Sequence, residues 1–324
     1  MDTILNLDPD SYTRHLLHTQ ERDWAETNCY VDVWIEQLHA LELDPIAAMA
    51  FTLTPDFEGD QWTFFKFQLT DLYELYGVEV QELVIWKPLI DHVEEQVKLG
   101  RPVLVELDSK YLPDTAGTAY QREHVKTTVS VNELDIANKH MGYFHAQGYY
   151  HLSGDDFTQV FGLPGSDSKA VLAPYVEIAK LNNLVKRSSD ELRDISTQIL
   201  LRQLKMMPKN NPFSAFRTRF ESDFEWLKGQ SIDMFHQYAF VTFRQFGACF
   251  ELAANYLKWL DSDDPSVVKA STLYKEISEI TKVYQFQLAR AISRGKSLNL
   301  EVIDSLATKW QAASDCLKSR FLKD

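Results

Sequence analysis

The sequence predicts an α+β protein in two parts, a mixed helix-and-sheet region over residues 1–184 and an antiparallel helical bundle over 185–324. Three observations predict it. Before residue 185, short apolar runs alternate with turn signals, and most of the glycines lie there. Within that region the runs Pro102–Asp108 and His124–Val131 alternate apolar and polar residues at the period of a half-buried strand. After residue 185, apolar residues such as Phe235, Phe243, Phe246, Phe250 and Tyr256 recur at helical intervals, interrupted at Pro208, Gly229, Pro265 and Gly295.

The elements follow in order. Tyr30, Trp34, Leu38 and Leu41 define the apolar face of a helix opening near Cys29, with Asp32, Glu36 and His39 as its polar stripe. A helical stretch over Ile46–Phe51 leads to an acidic loop, Thr54–Asp60, and then to an expected strand over Trp62–Phe67. Leu69–Tyr76 reads as a helix stopped by Gly77, Val80–Ile85 as a strand, and Pro88–Leu99 as a helix stopped by Gly100. Past Tyr111–Gly117, His124 heads a strand, Asn132–Lys139 turns the chain, and Met141–His145 returns antiparallel. Another helix starts near Ser153 and Asp155. In the second half, Ser188 and Glu191 have capping-box spacing, and helices are expected over 189–206, 212–228, 231–261, 265–294 and 298–321.

Composition excludes several functions. A formal net charge of −14 lacks the basic footprint that nucleic acid demands. No apolar stretch approaches the roughly 18 residues that span a bilayer, and no basic segment precedes an apolar run at the N-terminus. A cytoplasmic protein without a signal peptide is expected. The three cysteines are far apart, which fits neither a disulfide framework nor a Cys-x-x-Cys metal site. His15, His18 and His39 lack metal-ligand spacing, so neither metal nor cofactor is expected.

The candidate chemistry centres on Cys29. A cysteine at a helix N-terminus sits among unpaired N–H groups at the positive end of the dipole, which favours thiolate and an adjacent oxyanion. Cys249 and Cys316 lie in apolar helical patterns and read as structural. His124, on the polar side of its strand, is the candidate base. For the group that orients it, the antiparallel return is expected to come level with His124 around Phe144–Ala146. That favours His145 over Asp135, with Asp108 a further option; the third role stays open.

These residues carry a resemblance. Cys29 on its helix, Gly100–Asp108, Tyr111-Leu112-Pro113 and strand-borne His124 together resemble the N-terminal domain of the butirosin-biosynthesis H type, in the papain-like cysteine superfamily. The chain more closely resembles, over nearly its whole length, a bacterial family known only as a domain of unknown function. Glu26–Asp32, Asp56–Phe67, Tyr111–Tyr120, Gly142–His145 and Arg244–Ala253 carry that likeness. The superfamily resemblance implies a papain-like α+β domain in which Cys29 is nucleophile and His124 base. It further implies transfer of an aminoacyl or acyl group from a carrier-protein thioester to an amine acceptor. Two features depart from the pattern: no glutamine stands at the usual spacing before Cys29, and Phe144-His145 replaces the usual aspartate. Both count against a peptidase or amidase more than against acyl transfer.

The full set of expected catalytic residues is Cys29, His124, His145 and Asn28, the last beside the oxyanion. Asp108, Asp56, Glu58, Gln61 and Tyr111 are candidates for substrate contact, the acidic loop suiting a cationic amine. A basic stretch from Lys186 to Arg219 could dock an acidic carrier protein, although a solvated helix face is the default for such a run. The alternative is a non-catalytic binding or scaffold protein that retains the fold.

Overall fold

The computed structural model describes residues 1–18, 22–24, 27–167 and 173–322. The chain forms two compact units: Met1–Thr19, Asn28–Pro45 and Leu69–Arg187 make the first, while Gln20–Thr27, Ile46–Gln68 and Ser188–Asp324 make the second.

The first unit is α+β. Its elements run β1 (Asp2–Thr3), α1 (Cys29–Ala40), α2 (Leu69–Tyr76), β2 (Glu79–Glu82), α3 (Leu89–Lys98), β3 (Val103–Asp108) and β4 (Lys126–Asp135). Then follow β5 (His140–His145), β6 (Gly148–Ser153), α4 (Asp155–Val160) and β7 (Val176–Lys180). The seven strands form one antiparallel sheet in the order β2-β7-β3-β4-β5-β6, with β1 added beside β4. α2 ends as its sequence requires: Gly77 adopts φ +69, and a Cβ there would strike the Asn183 carbonyl at 1.9 Å.

Two sequence expectations fail on β4. The strand does not turn at Asn132 but continues to Asp135, with a bulge between Val131 and Glu133. Because Ser130 faces Phe144 in the hairpin, the return strand does not come level with His124, which lies before β4 begins. The alternation behaves as expected within β4: Val129 and Val131 join a hydrocarbon layer with Val93, Val97, Val105, Met141 and Tyr143. Ser130 takes the opposite face, where it donates to Gln37 of α1 at 2.8 Å.

The second unit is helical: α5 (Ser189–Met206), α6 (Pro212–Leu227), α7 (Ile232–Ala239), α8 (Gln245–Leu260), α9 (Pro265–Arg294) and α10 (Glu301–Phe321). The single helix expected over 231–261 is instead α7, a π turn at Phe240–Arg244, and α8. The Ser188–Glu191 capping box is formed, and Asp264 caps α9 through the N–H groups of Ser266 and Val267. The core is aromatic, with Phe213, Phe216, Phe220, Phe243, Phe246 and Phe250 in mutual ring contact.

Trp62–Phe67 is not a strand. Only a lone bridge joins Phe57 to Trp62, and Trp62 packs into this ring cluster against Phe213, Phe216 and Phe246. Phe65 and Phe67 pack instead on Phe51, and Phe64 is exposed, so these aromatics do not form one face of a pleat. Trp24 is anchored similarly: its indole N–H donates to Ser278 at 2.9 Å, and a Cβ on Gly247 would lie 2.4 Å from its ring. Among the described residues no helix is long and apolar enough to cross a membrane.

Candidate functional site

Cys29 is the first residue of α1. Asn28 caps the helix, its side-chain oxygen accepting from the Val31 N–H at 2.9 Å. The half-buried Cys29 thiol donates to Thr128 Oγ1 on β4 at 3.6 Å. Cys249 is a different kind of thiol: it is fully buried, bonds the Thr52 carbonyl, and burial holds its pKa well above the ordinary value.

His124 stands just before β4, largely exposed, and its Nδ1 lies 2.6 Å from Asp108 Oδ2. Its Nε2 lies 3.0 Å from Lys110 Nζ, and the Tyr111 ring meets the imidazole edge-on at 6.2 Å. These partners fix the tautomer. A carboxylate accepts and an ammonium donates, so Nδ1 carries the proton and Nε2 offers its lone pair. Asp108 faces Lys126 and Glu106 faces Thr128 across the β3–β4 ladder, so carboxylate and Thr128 share one face of the sheet. Cys29 and the Asp108–His124 pair therefore lie along the same face. They are not in contact: His124 stands four positions before Thr128, about 13 Å along an extended backbone.

His145 is not part of that arrangement. Its Nδ1 lies 2.5 Å from Asp114 Oδ2, its Nε2 lies 2.8 Å from Thr127 Oγ1, and Asp114 also accepts from the Tyr143 hydroxyl at 2.5 Å. Thr127 and Thr128 are successive strand residues pointing to opposite faces, so His145 lies across the sheet from Cys29. Asp135 is remote too, at the far end of β4 beside the Met1 amino group.

Residues 13–181 match the DUF1839 N-terminal domain and residues 189–319 the DUF1839 C-terminal domain. The chain belongs to the DUF1839 family. No curated protein matches it. The DUF1839 N-terminal match contains Cys29, Asp108, Asp114, His124 and His145, but it carries no papain-like assignment.

The remaining candidates in this DUF1839 chain divide between the units. Asp56, Glu58 and Gln61 belong to the second unit, in a turn where the Glu58 N–H donates to the Gln61 carbonyl at 2.8 Å. In the basic stretch, Arg193, Arg217 and Arg219 pair with Asp190, Glu221 and Asp223 of their own helices.

Sequence reasoning missed two polar constructions. Asp32 and Glu36, read as a polar stripe, are buried and grip the N-terminal segment. Glu36 accepts from the Tyr12 hydroxyl at 2.6 Å and the His15 N–H at 3.1 Å, and it lies 2.5 Å from His18 Nδ1. Asp32 takes His18 Nε2 at 3.1 Å. Burial disfavours a charged His18, yet hydrogen bonds to the two carboxylates outweigh it and raise the pKa above the ordinary value. The second construction is the Asp114–His145 pair. Its members lie in two separate family-like segments, Tyr111–Tyr120 and Gly142–His145, which spacing along the chain does not join.

Proposed function

We propose that this DUF1839 protein is a cysteine-dependent acyltransferase with a papain-like first unit, in which Cys29 takes an aminoacyl or acyl group from a carrier-protein thioester. The observation that best supports this reading is the 2.6 Å Asp108–His124 pair, which shares a sheet face with the thiol's Thr128 contact and holds the imidazole in the base-competent tautomer. Asp108 thus takes the orienting role. Transfer requires the segment carrying His124 to move from Lys110 to the thiol; His124 then accepts the thiol proton at Nε2 and returns it to the departing carrier thiol as the Cys29 thioester forms. An amine acceptor then attacks the thioester carbonyl, gives its proton to His124, and releases the Cys29 thiolate. Asn28 uses its side-chain oxygen on the Val31 N–H, so the Cys29 N–H at the α1 N-terminus is the oxyanion donor.

A second reading, a binding protein without this chemistry, is favoured by one observation: the thiol bonds Thr128 rather than the imidazole. Intact-mass spectrometry after incubation with an aminoacyl carrier protein separates the two. Acyl transfer predicts an adduct on the wild type that is absent from Cys29→Ala and forms at least about a hundredfold more slowly on His124→Gln. A wild type that stays unmodified, or an equal adduct on Cys29→Ala, rules out the thioester.

A further inference from the structure

At the end of β4 away from His124, three strands converge on a second group of side chains. Glu133, Gly142 and His151 face one another in a row across β4, β5 and β6. His140 lies two residues from Gly142 along β5 and so on the same face. Two local features build this corner. Val131 and Leu134 both belong to the hydrocarbon layer, and strict alternation from Val131 would send Glu133 there as well. The bulge between Val131 and Glu133 adds one residue, which turns Glu133 to the other face and keeps Leu134 in the core. Gly142 carries no side chain in the middle of the row, and the Tyr149 hydroxyl fills that place: a Cβ there would stand 3.0 Å from Glu133 Cβ and 2.1 Å from the Tyr149 hydroxyl.

Glu133 Oε1 consequently lies 3.1 Å from His140 Nε2, and Oε2 lies 4.0 Å from His151 Nε2. One donor atom from each residue can be chosen so that all three fall within 4.8 Å of one another. Metal–ligand bonds of about 2.0–2.1 Å place neighbouring donors of a tetrahedral zinc about 3.3 Å apart. Small side-chain rotations reach that spacing. A simple ion pair would account for one histidine; here two imidazoles, with ring centroids 4.6 Å apart, direct Nε2 toward one carboxylate that is only 8% exposed. Asp8 and Asp10 also place negative charge near His151.

We propose that Glu133, His140 and His151 bind a divalent transition-metal cation, with zinc matching the donor set of two imidazoles and one carboxylate. His151 stands at the solvent side, so the fourth position is open to water. The site is independent of Cys29 and of the acyl-transfer reading.

Isothermal titration of the full chain with zinc, after chelator treatment, tests it. One saturable site per chain with a micromolar or tighter Kd is expected. His151→Gln should weaken binding about tenfold, and His140→Gln with His151→Gln about a hundredfold or more. His236→Ala, which removes an exposed histidine of the second unit, should change nothing. Circular dichroism checks the fold of each variant; should the double variant unfold, the exposed His151→Gln decides. Absence of a one-to-one site, or the wild-type affinity in a folded His151→Gln, overturns the proposal.

Discussion

The two faces of the first unit's sheet are built from the same strands with different shares of hydrocarbon and polar groups. Toward α3, Val105, Val129, Val131 and Met141 join a hydrocarbon layer. Toward α1, the buried groups include Ser130, Asn132 and Glu177, and α1 itself buries Asp32, Glu36 and Gln37. Glu177 accepts hydroxyls from Tyr30 at 2.8 Å and Tyr175 at 2.6 Å. Hydrocarbon contacts are non-directional and accept a neighbour of similar volume, whereas each buried polar group demands a specific partner. The α1 face, which carries Cys29, is therefore held by direction as well as by volume around α1, whereas the α3 face combines its hydrocarbon layer with the Asp114, Tyr143, His145 and Thr127 hydrogen bonds.

The largest expected effect breaks the polar face. Glu36→Ala removes the acceptor of Tyr12, His15 and His18 at once and should cost about 4 kcal/mol in urea unfolding. Met141→Ala, on the hydrocarbon face, should cost about 3 kcal/mol. The sharper comparison conserves volume: Met141→Leu should cost under about 1.5 kcal/mol, while Glu36→Gln should cost more than about 2 kcal/mol. Equal costs for that pair would erase the distinction between the faces.

A smaller effect appears with pH, and the buried His15 and His18 act in opposite directions. Burial, aided by His39 and His18, pushes His15 down to about 3, so the unfolded chain binds the extra proton and stability rises with pH from about 3 to about 6.5. His18 is raised, so its contribution is fully present below about pH 6.5 and fades as pH climbs through the native value. His15→Gln should flatten the acid limb of the stability profile, and His18→Gln the decline above neutrality. The smallest effect belongs to the surface: Lys126→Ala, which loses only an exposed pair with Glu106, should change stability by no more than about 0.5 kcal/mol.

Elements with local causes were legible in the sequence. α2 with its Gly77 stop, α5 with its capping box, and the alternation of β3 and β4 each follow from residues a few positions apart. What depends on distant partners was not. Trp62–Phe67 reads as a strand, but its rings find separate places: Trp62 among residues from α6 and α8, Phe65 and Phe67 against Phe51, and Phe64 in solvent. The bulge in β4 changes neither composition nor period enough to be read, yet it moves every later residue of the hairpin by one place. An early turn would set His145 beside His124, but β4 runs on to Asp135 and His145 pairs with Asp114. Glu133, His140 and His151 are ordinary strand residues in sequence and meet only through cross-strand register. For Cys29 and Asp108 the segments were legible, and the fold brought Asp108 to His124.

The interleaving of the two units has a bearing on how the protein can be divided or inherited. Trp24, packed against Gly247 and Ser278, and Trp62, set in the aromatic cluster, both belong to the helical unit yet are encoded well before its first helix. A cut between Arg187 and Ser188 would separate the sheet from the bundle on paper while stripping the bundle of both indoles. Shuffling one half between DUF1839 relatives would carry mismatched plugs into the recipient's cavities, so the two regions are expected to vary together rather than as exchangeable cassettes.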